Sequence, residues 1–478
     1  MDQGMKFTVD VPLVVDLDGT LLKVDSLHEA FVELLSKKPL YALRAVLRLM
    51  QGRAAFKAAV ADHVLPDVRM IPVDDSVLEA INQAREKGQK VYLATAADRR
   101  FAEVIANSIG KFDGVFASES GTNLKGQRKA DCLIAAFGIH GFDYIGNDAA
   151  DIPAWRAART AFISGASSRL VQQLRAEFPG LLTLTLRRRT IGAYLRALRP
   201  HQWLKNTLVA LPAIAAHDFS ISGVSMVLIT FISFSLAASS VYLVNDMLDV
   251  PHDRSHPEKR NRPLAAGLVP ISHAVGLLGL AVTLSVTLGL LLPWTFMLAL
   301  IAYFGLSMSY SLYLKRKLMI DVVALAALYG SRVLAGGAAT GIVLSHWLVG
   351  FCFFIFLSLA LVKRTAEMIT LPANSVGNIK GRGYRREDLQ TIPALTAASG
   401  FVAVLVLALY INSPDVRALY RNPELLWGAC VILIYWLGRV YFLTGRGEMH
   451  QDPVIFAATD WVSLMAGSLI VVVFLAAL

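Results

Sequence analysis

Two stretches of this chain place carboxylates and cations at spacings suited to phosphate chemistry. The first is VYLVNDMLDVPHDRSHPEKRNRPLAAG, residues 241–267. Asp246, Asp249 and Asp253 stand at i, i+3 and i+7, on one face of a helix, and Asn245 and Asp249 form an i, i+4 pair. Hard oxygens gathered this way suit Mg²⁺, which bridges protein carboxylates to substrate phosphates. Lys259, Arg260 and Arg262 follow at once, and these are phosphate-binding residue types. Carboxylates at a membrane edge are costly unless they hold cations or face a polar cavity. A Mg²⁺–diphosphate site therefore outweighs an incidentally charged loop. Pro251 is expected to break or kink the helix near Val250, which would set Asp253 on a loop.

The second stretch is VPLVVDLDGT, residues 11–20. An apolar β-branched run ending in Asp16 and Asp18 reads as a buried strand with two acids at its carboxyl end, where open α/β sheets place their sites. Residues 27–70 read as helical and basic. A second strand, VYLAT, ends in Thr95; NLKGQRKADCLIAAFG sets Lys129 at the start of a helix; FDYIGND ends in Asn147 and Asp148, with Asp151 close by. Strands alternating with helices imply a mostly parallel sheet.

The elements that carry these residues divide the chain of 478 residues. Residues 1–182 are mixed and charged like a soluble α/β domain, 183–203 are basic and amphipathic, and 204–478 are mostly apolar. Hydrophobic residues make up 55% and mean hydropathy is +0.52. The net charge of +10 sits between apolar segments, which fits the positive-inside rule better than nucleic-acid binding. Cys132, Cys352 and Cys430 are too scattered for a disulfide framework or a zinc site. The N-terminus lacks the basic and apolar pattern of a signal peptide.

Nine apolar segments are expected, at about 204–216, 222–247, 270–291, 294–312, 318–340, 344–362, 391–411, 424–443 and 459–478, most near the ~20 residues that span a bilayer. Pro212 interrupts the first. Arg254, Lys259, Arg260 and Arg262, then Lys315, Arg316 and Lys317, then Lys363, Arg364, Lys380, Arg382, Arg385 and Arg386 fall in alternate loops. The opposite loops hold Arg417 and Arg421. The richer loops, with the N-terminal domain, are expected on the cytoplasmic side. LRRRTIGAYLRALRPHQWLKN, residues 186–206, reads as an interfacial element with Tyr194 and Trp203, and Lys205 and Asn206 could face a substrate pocket. Asp321 and Arg332 share a face of the fifth segment and are expected to point into a cavity, or to form structural ion pairs with neighbouring helices. Gly336 and Gly337 suit close helix packing. His450 and Asp452 lie in a polar loop near the end and are left outside the site.

The N-terminal motifs resemble the haloacid dehalogenase-like (HAD) phosphatase superfamily over about residues 10–180. The resemblance implies a Rossmann-like sheet with a helical cap in the roughly 75 residues between the first two motifs. It implies Asp16 as nucleophile, Asp18 as general acid and then base, and Thr95 and Lys129 as holders of the phosphoryl group. Mg²⁺ would bind Asp16, the Asp18 carbonyl and acids among Asp148 and Asp151. The family's usual Gly-Asp reads Gly146-Asn147 here.

Residues 195–478 resemble the UbiA prenyltransferase superfamily through NDMLDVPHD and YSLYLKRKLMID. Aromatic prenyltransferases of that family carry a second aspartate-rich motif after the sixth helix, where this chain has Lys363-Arg364-x-x-Glu367. With RPHQWLKN, LKRKLMIDV, SRVLAGGAA and KRTAE, the pattern is similar to the branch that contains decaprenyl-phosphate phosphoribosyltransferase. That resemblance implies Mg²⁺-dependent transfer of 5-phosphoribosyl from phosphoribosyl diphosphate to a polyprenyl phosphate, followed by HAD-domain dephosphorylation. Substrate contacts would fall among Lys205, Asn206, Asn245, Lys259, Arg260, Arg262, Lys315, Asp321, Arg332, Lys363, Arg364 and Glu367. The alternative within the fold is an aromatic prenyltransferase using a polyprenyl diphosphate. A transporter would show matching discontinuous halves, and no such repeat is visible.

Overall fold

The computed structural model describes residues 11–65, 67, 70–119, 122–186, 190–369, 383–449 and 452–478, with the backbone alone at 415, 417 and 418. Lys380, Arg382, His450 and the Arg187–Arg189 run lie outside the described residues.

Six strands form one parallel sheet: β1 Leu13–Val15, β2 Val91–Asp98, β3 Gly114–Ser118, β4 Asp143–Gly146, β5 Ala161–Ile163 and β6 Leu182–Thr183. Their order is β3-β2-β1-β4-β5-β6, so β1 is central and pairs with β2 and β4. Its three residues are fully buried, as a parallel strand covered on both faces requires. Asp16 and Asp18 follow β1, Thr95 lies within β2, and Asn147 follows β4, so the motifs gather at one end of the sheet.

Helices α1 Ser26–Lys37, α2 Pro39–Leu47 and α3 Arg53–Ala61 intervene between β1 and β2. They carry their own apolar cluster, including Ala30, Leu34, Ala42, Val60 and Phe101. Helix α4, Asp75–Glu86, packs on the sheet through Val77, Ala80, Ile81 and Ala84. The helical insertion is thus α1–α3, and α4 belongs to the core. Helices α5 Arg99–Ile109, α6 Gln127–Phe137, α7 Ile152–Ala157 and α8 Ser168–Glu177 complete the α/β layer, and α9 Ile191–Ala197 follows.

The chain divides into two compact units. One comprises the residues up to Ala197 together with Leu243–Leu277; the other comprises Leu198–Tyr242 and Leu278–Leu478. In the first unit, helix α12, Val250–Ser255, is tied to α1 by a buried ion pair. Both Nη atoms of Arg254 donate to the Glu29 carboxylate, at 2.8 and 2.9 Å, and its Nε donates to the Ala265 carbonyl at 2.9 Å. Gly267, at φ +69°, has Val24, Lys23 and Pro72 directly against it. The acidic stretch seen in the sequence is therefore packed against α1 and the loop residues Lys23, Val24 and Pro72.

The second unit contains α10 Leu211–Ala215, α14 Trp294–Leu312, α15 Ile320–Thr340, α16 His346–Ile369, α17 Ile392–Ile411, α18 Pro414–Leu419, α19 Trp427–Gly445, α20 Pro453–Thr459 and α21 Trp461–Ala477. Two further helices, α11 Ile221–Leu248 and α13 Ile271–Gly289, run along the chain from one unit into the other. Among the described residues seven helices are long and apolar enough to cross a membrane, or eight if α20 and α21, bent by 78°, make one span. The protein is a multi-pass integral membrane protein. The expected first segment, 204–216, is built differently: a 3₁₀ stretch over Pro200–Ala210 leads into the five-residue α10. Pro212 sits in the first turn of α10, where its missing N–H does no harm. A Cβ on Gly336 would strike the Val209 carbonyl, so this glycine serves the close approach of α15 to that stretch.

Removing one partner of a buried ion pair costs about 3–5 kcal/mol. Arg254→Ala should lower the stability of the first unit by that order and speed proteolysis within 243–277. Adding Glu29→Gln should recover part of the loss, and a double-mutant cycle on detergent-solubilised protein measures it. Additive losses would show that the pair does not hold the segment.

Candidate functional site

The residues at the end of the sheet line a cavity of about 730 Å³ that includes Asp16, Asp18, Thr95 and Lys129. Lys129 reaches up from the start of α6 and donates to Asp16 Oδ1 at 2.7 Å, to Asp151 Oδ1 at 3.0 Å and to the Tyr144 hydroxyl at 2.9 Å. Asp16 also accepts from Thr20 at 3.1 Å. Burial pushes the Asp16 carboxyl up to about 6, with Lys129 opposing and Asp151 adding repulsion. Burial pushes Asp18 up to about 7, helped by the charge of Asp25, although the Ser26 N–H donates to Asp18. Thr95 is buried and its Oγ1 accepts from the Ala97 N–H. An attacking carboxylate next to a protonated carboxyl is the arrangement that nucleophilic phosphoryl transfer with general acid help requires.

Gly19, at φ +78°, makes the turn after the two acids, and a Cβ there would collide with the Asn147 side chain. The sequence left Asp148 and Asp151 open as the acid beyond Asn147. The structure separates them. Asp151 is buried on Lys129 and Tyr144, and its other oxygen accepts from the N–H groups of Asn147 and Asp148. Asp148 is exposed and accepts from Ala149 N–H.

In the acidic stretch the helix breaks where expected. Helix α11 ends at Leu248, Asp249 is the N-cap of α12, and Pro251 lies in the first turn. Asp253 sits on α12 rather than on a loop, because proline is tolerated at a helix start. Arg262 Nη1 donates to Asp253 Oδ2 at 2.6 Å and to Asp246 Oδ1 at 3.3 Å. Asp246 and Asp253 are buried, and Asn245 and Asp249 are half-buried. Lys259 and Arg260 stand on a single 3₁₀ turn, Arg260 exposed. Two carboxylates thus converge on one cationic atom, a donor set whose chemistry fits a hard divalent ion. Among the described residues no three His, Cys, Asp or Glu side chains gather around one point.

The membrane unit holds two polar networks. In the first, Asp452 accepts from Lys205 at 2.7 Å, Lys363 at 2.9 Å and the Tyr329 hydroxyl at 3.1 Å. The Arg332 guanidinium lies over Phe234, Tyr303 and Tyr329, 5.4–5.7 Å from the ring centres. Its Nε donates to Asn206 Oδ1, and Asn206 Nδ2 donates to Ser235. Two lysines thus share one carboxylate, and Arg332 donates to the neutral Asn206 amide and Leu328 carbonyl. In the second network, Arg364 is fully buried and bonded at each of its three nitrogens: it donates to Asp321 at 2.6 Å, to Tyr310 at 3.0 Å and to Glu367. Tyr384 also donates to Asp321. The structure therefore brings Lys205, Asn206, Arg332 and Lys363 together and keeps Asp321, Arg364 and Glu367 apart in a network of their own. Lys315 stands half-buried on the turn after α14. Asp452 was passed over in the sequence. One signal was available: it precedes Pro453 as a helix N-cap, and its side chain accepts from Val454 N–H.

The UbiA prenyltransferase family profile matches residues 206–464, more than half of the 478-residue chain. The chain belongs to the UbiA prenyltransferase family. A haloacid dehalogenase-like hydrolase profile matches residues 13–159, so this UbiA enzyme carries an N-terminal HAD-like hydrolase domain. It is 36% identical to the uncharacterized protein y4nM of Sinorhizobium fredii over 480 residues, 99% of this chain and 92% of that one. The nodulation protein NoeC of Azorhizobium caulinodans is 32% identical over 280 residues, 57% of this chain and 89% of its own. Within the UbiA part, the decaprenyl-phosphate phosphoribosyltransferase of Mycobacterium tuberculosis is 38% identical over 191 residues, 37% of this chain and 61% of that one.

The two networks predict different responses. Arg364→Ala strips the counter-charge from fully buried Asp321 and should cost about 3–5 kcal/mol of stability. Lys363→Ala leaves Asp452 paired with Lys205 and should cost clearly less. Thermal unfolding of both variants in detergent checks this; equal losses would mean that Lys363 is as structural as Arg364.

Proposed function

We propose that this UbiA-family enzyme transfers 5-phosphoribosyl from phosphoribosyl diphosphate to a polyprenyl phosphate, and that its HAD domain then removes the 5-phosphate from the product. The observation that carries this reading is the packing of the acidic stretch against helix α1 of the hydrolase domain. Helix α12 presents Asp253 to Arg262 and the neighbouring Arg254 to Glu29, which lines the hydrolase cavity. Pro270–His273, leading into the candidate span α13, line the same cavity. A hydrolase pocket walled by the first turn of a membrane helix suits a lipid-borne substrate.

In the transfer, a phosphate oxygen of the lipid attacks the anomeric carbon of the ribose, and diphosphate leaves. Asp246, Asp249 and Asp253 would hold Mg²⁺. When bound, that ion supplies charge neutralisation for the leaving diphosphate. Released from the carboxylates, Arg262 would be free to bind the same diphosphate. Lys205, Lys363 and Arg332 exceed the charge of Asp452, and that surplus suits a phosphate anion held without metal. An aromatic prenyltransferase would need a second acidic cluster at Lys363–Glu367. The one carboxylate there, Glu367, is paired with Arg364, which favours the phosphoribosyl reading.

In the hydrolase step, Asp16 attacks the 5-phosphate to form an aspartyl-phosphate, and Asp18 protonates the leaving 5-oxygen. Asp18 then takes a proton from water, which releases inorganic phosphate. Asp16, the Asp18 carbonyl and the acids beyond β4 would hold Mg²⁺ here. A phosphomonoester is the substrate type for this chemistry; the diester joining lipid to ribose is not. Both sites should face the cytoplasm by the charge asymmetry of the loops, and the shared chain gives the hydrolase a high effective concentration near new product.

Labelled phosphoribosyl diphosphate and a polyprenyl phosphate, followed by mass spectrometry of the lipids, test this. Asp246→Asn and Asp249→Asn should each lower transfer by at least about 100-fold, beyond the 10–100-fold typical of losing a group that only orients a ligand. Asp16→Asn should accumulate the phosphorylated lipid without slowing its formation. Prenylation of an aromatic acid with no use of phosphoribosyl diphosphate would reject the reading.

The pH profile follows from Asp18. Its proton is needed for departure of the alcohol, so hydrolysis should fall as pH rises through about 7. The Asp25 carboxylate helps hold that proton. Asp25→Asn keeps an N-cap on α1 but removes the repulsion, so the alkaline limb of kcat/KM on a soluble phosphomonoester should move to lower pH. An unmoved limb would assign it to another group.

A further inference from the structure

We propose that Arg53, Lys57 and Lys125 form a second anion subsite in the hydrolase cavity, so that the domain takes a phosphomonoester whose body carries a second phosphate group. This rests on the hydrolase half of the function proposed above and names what the pocket selects.

The phosphoryl end of the cavity already has its cation. Lys129 is committed to Asp16 and Asp151. Three further cations line the same cavity. Arg53 opens α3, and Lys57 lies one turn later on that helix. Lys125 precedes α6, on the opposite side of the sequence motif set. Lys57 reaches across to donate to the Ala96 carbonyl at 2.5 Å and to Asn123 Oδ1 at 2.9 Å. Both acceptors are neutral. Among the described residues no ion pair joins Arg53, Lys57 or Lys125 to a carboxylate; Lys57 is half-buried in the cavity, and Arg53 and Lys125 are exposed at its edge.

Asp18 and Asp25 also attract Lys57, and Arg53 and Lys125 repel it. Neither carboxylate comes within ion-pair distance. Asp25 is turned to the N–H groups of Leu27 and His28, and Asp18 to that of Ser26. Burial and the two like charges together outweigh this attraction and hold the Lys57 ammonium below its ordinary pKa. Like charges assembled in a pocket raise its energy until an anion enters. The cavity, about 730 Å³, is in the range that encloses a whole small molecule rather than one phosphoryl group.

The ligand that fits is a sugar with a monoester at one end and a phosphodiester at the other. The monoester lies on Asp16. The diester keeps one negative charge and is not cleaved; it rests on Arg53, Lys57 and Lys125. A simple sugar phosphate fills only the first position.

The test uses the full chain in detergent and two soluble esters: ribose 5-phosphate, and ribose 5-phosphate bearing a methyl phosphodiester at C1. The parent protein should favour the second by roughly tenfold or more in kcat/KM, the scale of one or two charge-assisted contacts. Arg53→Gln with Lys125→Gln should cut that preference by roughly tenfold through KM. Lys57 is left in place because its bonds to Ala96 and Asn123 hold α3 against the sheet. A preference unchanged by the double substitution overturns the subsite while leaving the hydrolase reading intact. Hydrolysis of neither ester by the parent rejects the hydrolase reading. Calorimetry on Asp16→Asn then judges the subsite alone: binding of the methyl diester that weakens in the charge variant supports it, and no binding overturns it. Inorganic phosphate binding as tightly as the diester, with the same loss, would also overturn it, because the cations would then serve free phosphate.

Discussion

A charge withdrawn from water is costly unless an opposite charge or a strong acceptor meets it, and buried ion pairs organise both halves of the protein. Within the hydrolase unit, Lys129 joins Asp16 to Asp151, Arg254 grips Glu29, and Arg262 draws Asp246 and Asp253 together. Within the membrane unit, Arg364 holds Asp321 and Glu367, and Asp452 holds Lys205 and Lys363. Each knot fixes elements distant in sequence, so the positions of the chemistry-bearing groups follow from electrostatics as much as from apolar packing.

The knots differ in composition and in burial. Arg364 meets two carboxylates and a phenol, one at each of its three nitrogens, and both it and Asp321 are fully buried. Asp452 meets two lysines, which leaves positive charge beside the aromatic box of Arg332. Arg262 meets two carboxylates, whose oxygens are the donor type a divalent ion takes.

The residues lining the hydrolase cavity were legible in the sequence because several lie in or just after a buried strand: Asp16 after β1, Thr95 in β2, Asn147 after β4. A strand of fixed direction carries its end residues to a predictable edge. The membrane networks were less legible. Asp321 and Arg332 do share a helical face, but three turns separate them by about 16 Å along the axis, so they meet different neighbours. Helical periodicity gives the face of a residue and not its partner on another helix; Arg364 therefore read as a phosphate ligand although Asp321 claims it. Asp452 was silent because one carboxylate in a polar loop carries no periodicity at all. The first apolar segment read as a span by composition, while the 3₁₀ stretch and Pro212 gave it another geometry.

Helix α12 is where the two chemistries come closest to sharing a part. It has six residues and begins at a proline-marked break. Asp253 and Arg254 are consecutive on it, about 100° apart around the axis, and each is fixed by a buried ion pair. So short a helix cannot turn to release one of them without disturbing the other. Whatever ligand draws Arg262 away from Asp253 changes the load on a helix whose next residue holds Glu29 in the wall of the hydrolase cavity. A soluble hydrolase joined by a flexible linker would have no such connection. The insertion of 243–277 into the hydrolase unit is thus a mechanical feature of the fold, and it explains in physical terms why residues far along the chain belong to the same compact unit as the N-terminal sheet.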